Sequence, residues 1–83
     1  MSMQLFSIKD KLNEFYAPHP YPNEELAKRD FMLAVKSGDD LLSKCPADFA
    51  LYHVGVFDTK KGVFATFDEP ILVVDGASII KKE

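Results

Sequence analysis

Between residues 50 and 57, Leu51, His53, Gly55 and Phe57 fall on one side of an extended chain and Ala50, Tyr52, Val54 and Val56 on the other, since successive strand side chains point to opposite faces. Both sides are largely apolar, so the segment reads as a well-covered strand. Pro46-Ala47-Asp48 before it suits a tight turn, proline presetting its own φ and aspartate capping nearby amides. Asp58-Thr59-Lys60-Lys61-Gly62 after it reads as a type I turn closed by a left-handed glycine, with residues 63–67 returning antiparallel as the second arm of a β-hairpin. Residues 3–9 repeat the period of two, with Gln4, Phe6 and Ile8 on one face and Met3, Leu5 and Ser7 on the other, before Asp10-Lys11 ends the strand.

The period changes after residue 23. Asn23 is a good N-cap, Glu24 and Glu25 suit the positive end of a helix, and Gly38 supplies a terminating glycine, so a helix is predicted over 24–37. Ala27, Phe31, Ala34 and Val35 make its apolar stripe, which Leu26 and Leu33 are expected to widen; Met32 falls off it, a candidate exposed contact. The three alternating prolines of residues 17–22 exclude a helix and remove ladder donors, predicting an extended surface connector. Leu41-Leu42 is expected to pack beneath the Pro46 turn. Ile71 to Val74, β-branched and bounded by Pro70 and Gly76, reads as a further short strand, while residues 77–80 fit helix or strand equally and 81–83 read as a frayed tail. The expected fold is therefore α+β, one domain over 1–83, in which a small, mainly antiparallel sheet packs one face on a single helix.

Composition narrows the function. Apolar residues at 47% and charged residues at 28% describe a folded chain. A chain of 83 residues buries only a modest core, so a homodimer or a partner over the second apolar sheet face is expected. Ten basic against thirteen acidic residues give a net charge of −3, opposite to the basic field usual in nucleic-acid binders. One cysteine excludes an internal disulfide, a zinc knuckle and a C-x-x-C pair, and fits a reducing compartment. No leader pattern or membrane-length apolar run is present, so no membrane association is expected.

No catalytic constellation stands out. His19 and His53 have no spacing that joins them on a metal, and His53 is expected to be a half-buried strand residue with a satisfied ring nitrogen. The acid pairs Glu24-Glu25, Asp39-Asp40 and Asp68-Glu69 suit caps and turns, and neither Cys45 nor any serine has the neighbours of a nucleophile. The sequence thus predicts no enzyme, no cofactor and no metal. Nucleic-acid contacts would come from lysines on phosphates and rings on unpaired bases. The candidates are Lys9 and Lys11 after the first strand, Lys28 and Arg29 on the helix, Lys60 and Lys61 at the hairpin tip, and Tyr52, with Tyr16 and Tyr21 as further rings.

Several of these residues sit in a wider pattern: Phe6, Ile8, Asp10 and Lys11; Phe15 and Pro18; Ala27, Arg29, Phe31 and Val35; then Pro46, Asp48, Phe49, Leu51, Tyr52, Gly55, Phe57, Asp58 and Gly62. In this order the chain resembles the small nonstructural protein of the gokushoviruses, single-stranded DNA phages of the microvirus family. The resemblance implies a non-enzymatic phage protein in the cytoplasm of the bacterial host, binding DNA, single-stranded by expectation, during genome synthesis or packaging. It carries over no functional residue. The alternative is a module that binds a phage or host replication or packaging protein without touching DNA, which the net acidity favours.

Overall fold

The computed structural model describes residues 2–38 and 40–79. Four strands form one antiparallel sheet in the order β2-β1-β3-β4, with β1 at Ser2–Asp10, β2 at His19–Tyr21, β3 at Phe49–Asp58 and β4 at Val63–Asp75. Helix α1, Glu24–Lys36, and a single turn α2, Leu41–Lys44, lie between β2 and β3. The α+β class read from the sequence is what the chain adopts.

Helix α1 begins and ends where its polar residues dictate. The Asn23 side chain accepts from the Leu26 amide at 3.0 Å, and the chain leaves the helix through Gly38 at φ 83°, left-handed backbone that glycine adopts without strain. Ala27, Phe31 and Val35 are buried against Phe6, Phe49 and Leu51, forming the core between α1 and the sheet. Leu33 does not widen that stripe: it is 61% exposed. Two residues on from Phe31 is a rotation of about 200° in a helix, which puts Leu33 on the outer side, with Leu26 one heptad before it. Met32 is half-buried.

Three further departures concern the strands. The proline-rich connector supplies an edge strand, with Leu5 opposite Pro20 and Phe6 opposite His19; an edge strand tolerates proline because one of its sides needs no donor. The expected strands at 63–67 and 71–74 are one element, β4. Between Thr66, opposite Gly55, and Ile71, opposite His53, four residues of β4 face one of β3, and Pro70 sits in that bulge on the edge. Finally, β1 meets β3 with a shift between Leu5, opposite Gly55, and Phe6, opposite His53. The extra residue, Val54, moves Gly55 and Phe57 to the face opposite Leu51 and His53, breaking the alternation expected for this strand.

Smaller corrections follow the same physics. Leu42 packs against the core but Leu41 is exposed, because Asp40 caps α2 through the Ser43 amide at 3.1 Å and turns the first leucine outward. His53 is stacked on Phe6 at 4.6 Å and meets Phe67 edge-on at 4.7 Å, and its Nε2 is buried without a hydrogen-bond partner. Residues 76–78 form a 3-10 turn, which settles the open reading there as far as Ile79; Asp39 and residues 80–83 lie outside the described residues. The hairpin of β3 and β4 is long for this core, and the molecule measures 47 × 23 × 19 Å.

Candidate nucleic-acid interface

The face of the sheet away from α1 carries a row of rings. β1 alternates regularly, so Met3, Leu5, Ser7 and Lys9 share this face, and the register sets Phe57, Gly55, Tyr52 and Ala50 beside them. The next strand adds Phe64 beside Phe57, Thr66 beside Gly55 and Leu72 beside Tyr52. No helix covers these residues, yet Leu5, Ser7, Ala50 and Gly55 among them are buried, so the accessible surface of this face is carried by its rings and its β4 side. Phe64 is 66% exposed, Leu72 52% and Phe15 39%.

Phe15 reaches this face because the chain turns back after β1. The Asp10 amide bonds the Glu14 carbonyl at 3.1 Å, Phe15 bridges to Lys9, and the Tyr16 amide bonds the Ile8 carbonyl at 2.8 Å. The returning segment is pinned further by the buried Ser7 hydroxyl, which donates to the Tyr16 carbonyl at 2.6 Å. The Lys9 ammonium lies 5.2 Å from the Phe15 ring centroid, and Phe15 meets Tyr52 edge-on at 5.3 Å. Farther along the hairpin Phe57 and Phe64 pair at 4.8 Å. Beyond them the tip is fixed by Asp58, whose carboxylate accepts from the Lys60 and Lys61 amides at 2.9 and 3.1 Å, and by Gly62 at φ 70°. The turn has the form the sequence predicts.

The candidate residues therefore divide. Lys9 and Tyr52 come together through Phe15, and Lys60 and Lys61 stand exposed at the far end of the same hairpin. Lys28 and Arg29 lie on α1, behind the sheet, with Lys36 beside Leu26, Met32 and Leu33. Tyr16 faces the α1 side, 6.3 Å from Phe49, and Tyr21 donates its hydroxyl to Asp30 at 2.9 Å. Burial first, and the Asp30 carboxylate second, push the Tyr21 phenol above its ordinary pKa. Three rings escaped the sequence reading. Phe15 sits in a segment without periodicity, whereas the Phe57–Phe64 pair was legible: a turn pairing Asp58 with Val63 places those rings opposite each other.

Lys11 is engaged elsewhere. Its ammonium bonds both Asp75 oxygens at 2.8 and 2.9 Å, tying the end of β1 to the end of β4. That bond first, and the Ala77 amide second, hold the Asp75 carboxyl below its ordinary value. A depressed folded-state pKa gives stability that is present at neutral pH and lost as pH falls through that value, below about 4. Both side chains are more than a third exposed, so Lys11→Ala is expected to cost under about 1 kcal/mol at pH 7. Urea midpoints of the two proteins should converge as the pH is lowered toward about 2, and a gap that stays constant would show that the pair contributes nothing through its charge.

Among the described residues no cluster of three histidine, cysteine or acidic side chains is arranged to hold a metal ion, and no helix is long and apolar enough to cross a membrane. Residues 3–79 match the family described as Phage ORF5 protein. No curated protein and no solved structure gives a match. The chain belongs to the Phage ORF5 protein family.

Proposed function

We propose that this phage ORF5 family protein is a non-enzymatic protein of a gokushovirus-like phage that binds single-stranded DNA on the helix-free face of its sheet. It acts in genome synthesis or packaging, in the cytoplasm of the bacterial host. The observation that carries the reading is the row of rings on that face, Phe15 and Tyr52 beside Lys9 and then Phe57 with Phe64, running toward Lys60 and Lys61. Unpaired bases stack on such rings for about 1–3 kcal/mol each, while lysines hold the phosphates. A duplex hides its bases, and a net charge of −3 gives the protein little general attraction for its backbone.

Fluorescence anisotropy with single- and double-stranded oligonucleotides across a salt series tests this. The single strand is expected to bind more tightly. Lys60→Ala with Lys61→Ala should flatten the slope of log affinity against log salt by roughly 0.7 for each phosphate that is no longer neutralised. Phe15→Ala with Phe64→Ala should weaken binding and leave the slope alone. An unchanged slope in the lysine variant, with the fold intact, would remove the hairpin tip from the interface.

A second reading rests on the exposed apolar surface of the same face, Leu72 and Phe64 above all, together with the net acidity. There the face receives protein, either a second copy of this chain in a homodimer or a phage or host replication protein. No salt-dependent binding to either form of DNA, with self-association in sedimentation, would favour this reading over the first.

A further inference from the structure

A hollow of about 270 Å³ opens between α1 and the sheet, on the side away from the ring-bearing face. Its base is apolar, Phe6 and Leu51 of the sheet with Ala27 and Phe31 of α1, each only 1–3% exposed, and half-buried Ile8 and Ala34 stand above them. Of the two alanines, Ala27 is packed in the core, whereas Ala34 is half-buried, so a larger side chain at Ala34 would extend into the hollow. The rim is polar and aromatic: Tyr16, Tyr21, His19 and Asp30. Asp30 accepts the Tyr21 hydroxyl on Oδ2, which leaves Oδ1 without a partner among the described residues.

These features specify an occupant. The volume lies just below the range of roughly 300–1,000 Å³ that takes drug-sized ligands, so one ring system fits. An apolar floor between two phenol rings suits a planar aromatic ring. No lysine or arginine lines the hollow, and its charged rim residue is a carboxylate, so a phosphate is excluded and a ring edge bearing N–H donors is favoured. We infer that the hollow receives one unpaired base of a bound DNA strand, with Asp30 accepting from the base's N–H groups. Guanine, which presents two neighbouring donors, fits best; thymine, whose one N–H lies between two carbonyls, fits worst.

The inference rests on the single-stranded DNA reading above and extends it around the edge of the sheet. Phe15 and Tyr16 are successive residues on that edge, the first ring against Tyr52 on the open face and the second lining the hollow. A strand stacked on Phe15 can thus pass over the edge and set its next base inside.

The test compares a short dT strand with the same strand carrying one central dG or one central dC. The single dG is expected to raise affinity at least about fivefold and dC by less. Asp30→Asn should abolish the preference, because the amide replaces an acceptor with a donor, and should leave the dT affinity and its salt slope unchanged. Ala34→Leu, which fills the hollow and keeps the Asp30 carboxylate, should have the same effect, and circular dichroism confirms the fold of each variant. Equal affinity for dT and dG strands, or a preference that survives both substitutions, overturns the inference while leaving the DNA reading in place. Absence of binding to any strand overturns both.

Discussion

Replacing Gly76 with alanine is expected to destabilise the protein by about 3 kcal/mol or more, out of all proportion to one methyl group. Gly76 is buried at the start of the 3-10 turn that follows β4, where the end of the sheet folds against the Pro46–Asp48 turn. A Cβ at this position would fall on the Pro46 carbonyl oxygen and lie 2.8 Å from the Phe49 oxygen. Both are backbone atoms, and neither can rotate out of the way as a side chain can. Moving them would displace Phe49, which is fully buried in the core. Gly62 provides the control, because it takes φ 70° but has nothing within 4 Å of a built Cβ. Gly62→Ala meets only the left-handed backbone penalty, about 1–2 kcal/mol. Urea unfolding of the two variants separates close approach from backbone conformation, and a smaller loss at Gly76 than at Gly62 would mean that the two turns do not pack as described.

What the sequence disclosed and what it withheld divide along the range of the interactions. Local chemistry was legible. The Asn23 cap, the glycine after α1, the Pro46 turn and the Asp58 to Gly62 turn each follow from a few neighbouring residues, and each is where it was expected. Register was not legible, because it depends on which strands meet. The Val54 bulge, which sends Phe57 to the open face, arises only when β3 is laid against β1, and the use of Pro20 in an edge strand requires β1 beside it. Of the candidate contacts, Lys60 and Lys61 were fixed by their turn alone. Lys9 and Tyr52 became neighbours through Phe15, a residue in a segment without pattern. Lys11 looked free in sequence, and only the fold brings it to Asp75, sixty-four positions away.

Phe6→Ala and Phe31→Ala are both expected to take much of the stability of this domain, and Phe6→Ala more of it. A chain of 83 residues has roughly 4–12 kcal/mol in total, and removing a buried phenylalanine costs about 3–5 kcal/mol. The order follows from what surrounds each ring. Phe6 is 1% exposed on the inner strand β1, stacked on His53 at 4.6 Å and edge-on to Tyr21 at 5.9 Å. Its loss leaves a cavity walled by strands on either side and forfeits ring contacts of about 0.5–1.5 kcal/mol each. It also lets water reach the unpartnered Nε2 of His53, which recovers only a small part of the loss. Phe31 is equally buried and central on the inner stripe of α1, and both rings border the 270 Å³ hollow, but Phe31 is carried by a helix packed on the sheet whereas Phe6 is fixed in an inner strand. Truncating it enlarges a space that is open to solvent at one side, so the helix can settle and water can enter, and the penalty should fall toward about 3 kcal/mol. Urea denaturation of both variants measures the difference directly. A Phe31→Ala loss below about 1 kcal/mol would mean that α1 presents a different face to the sheet, and a Phe31→Ala loss larger than that of Phe6→Ala would mean that α1 does not settle onto the sheet when its ring is removed.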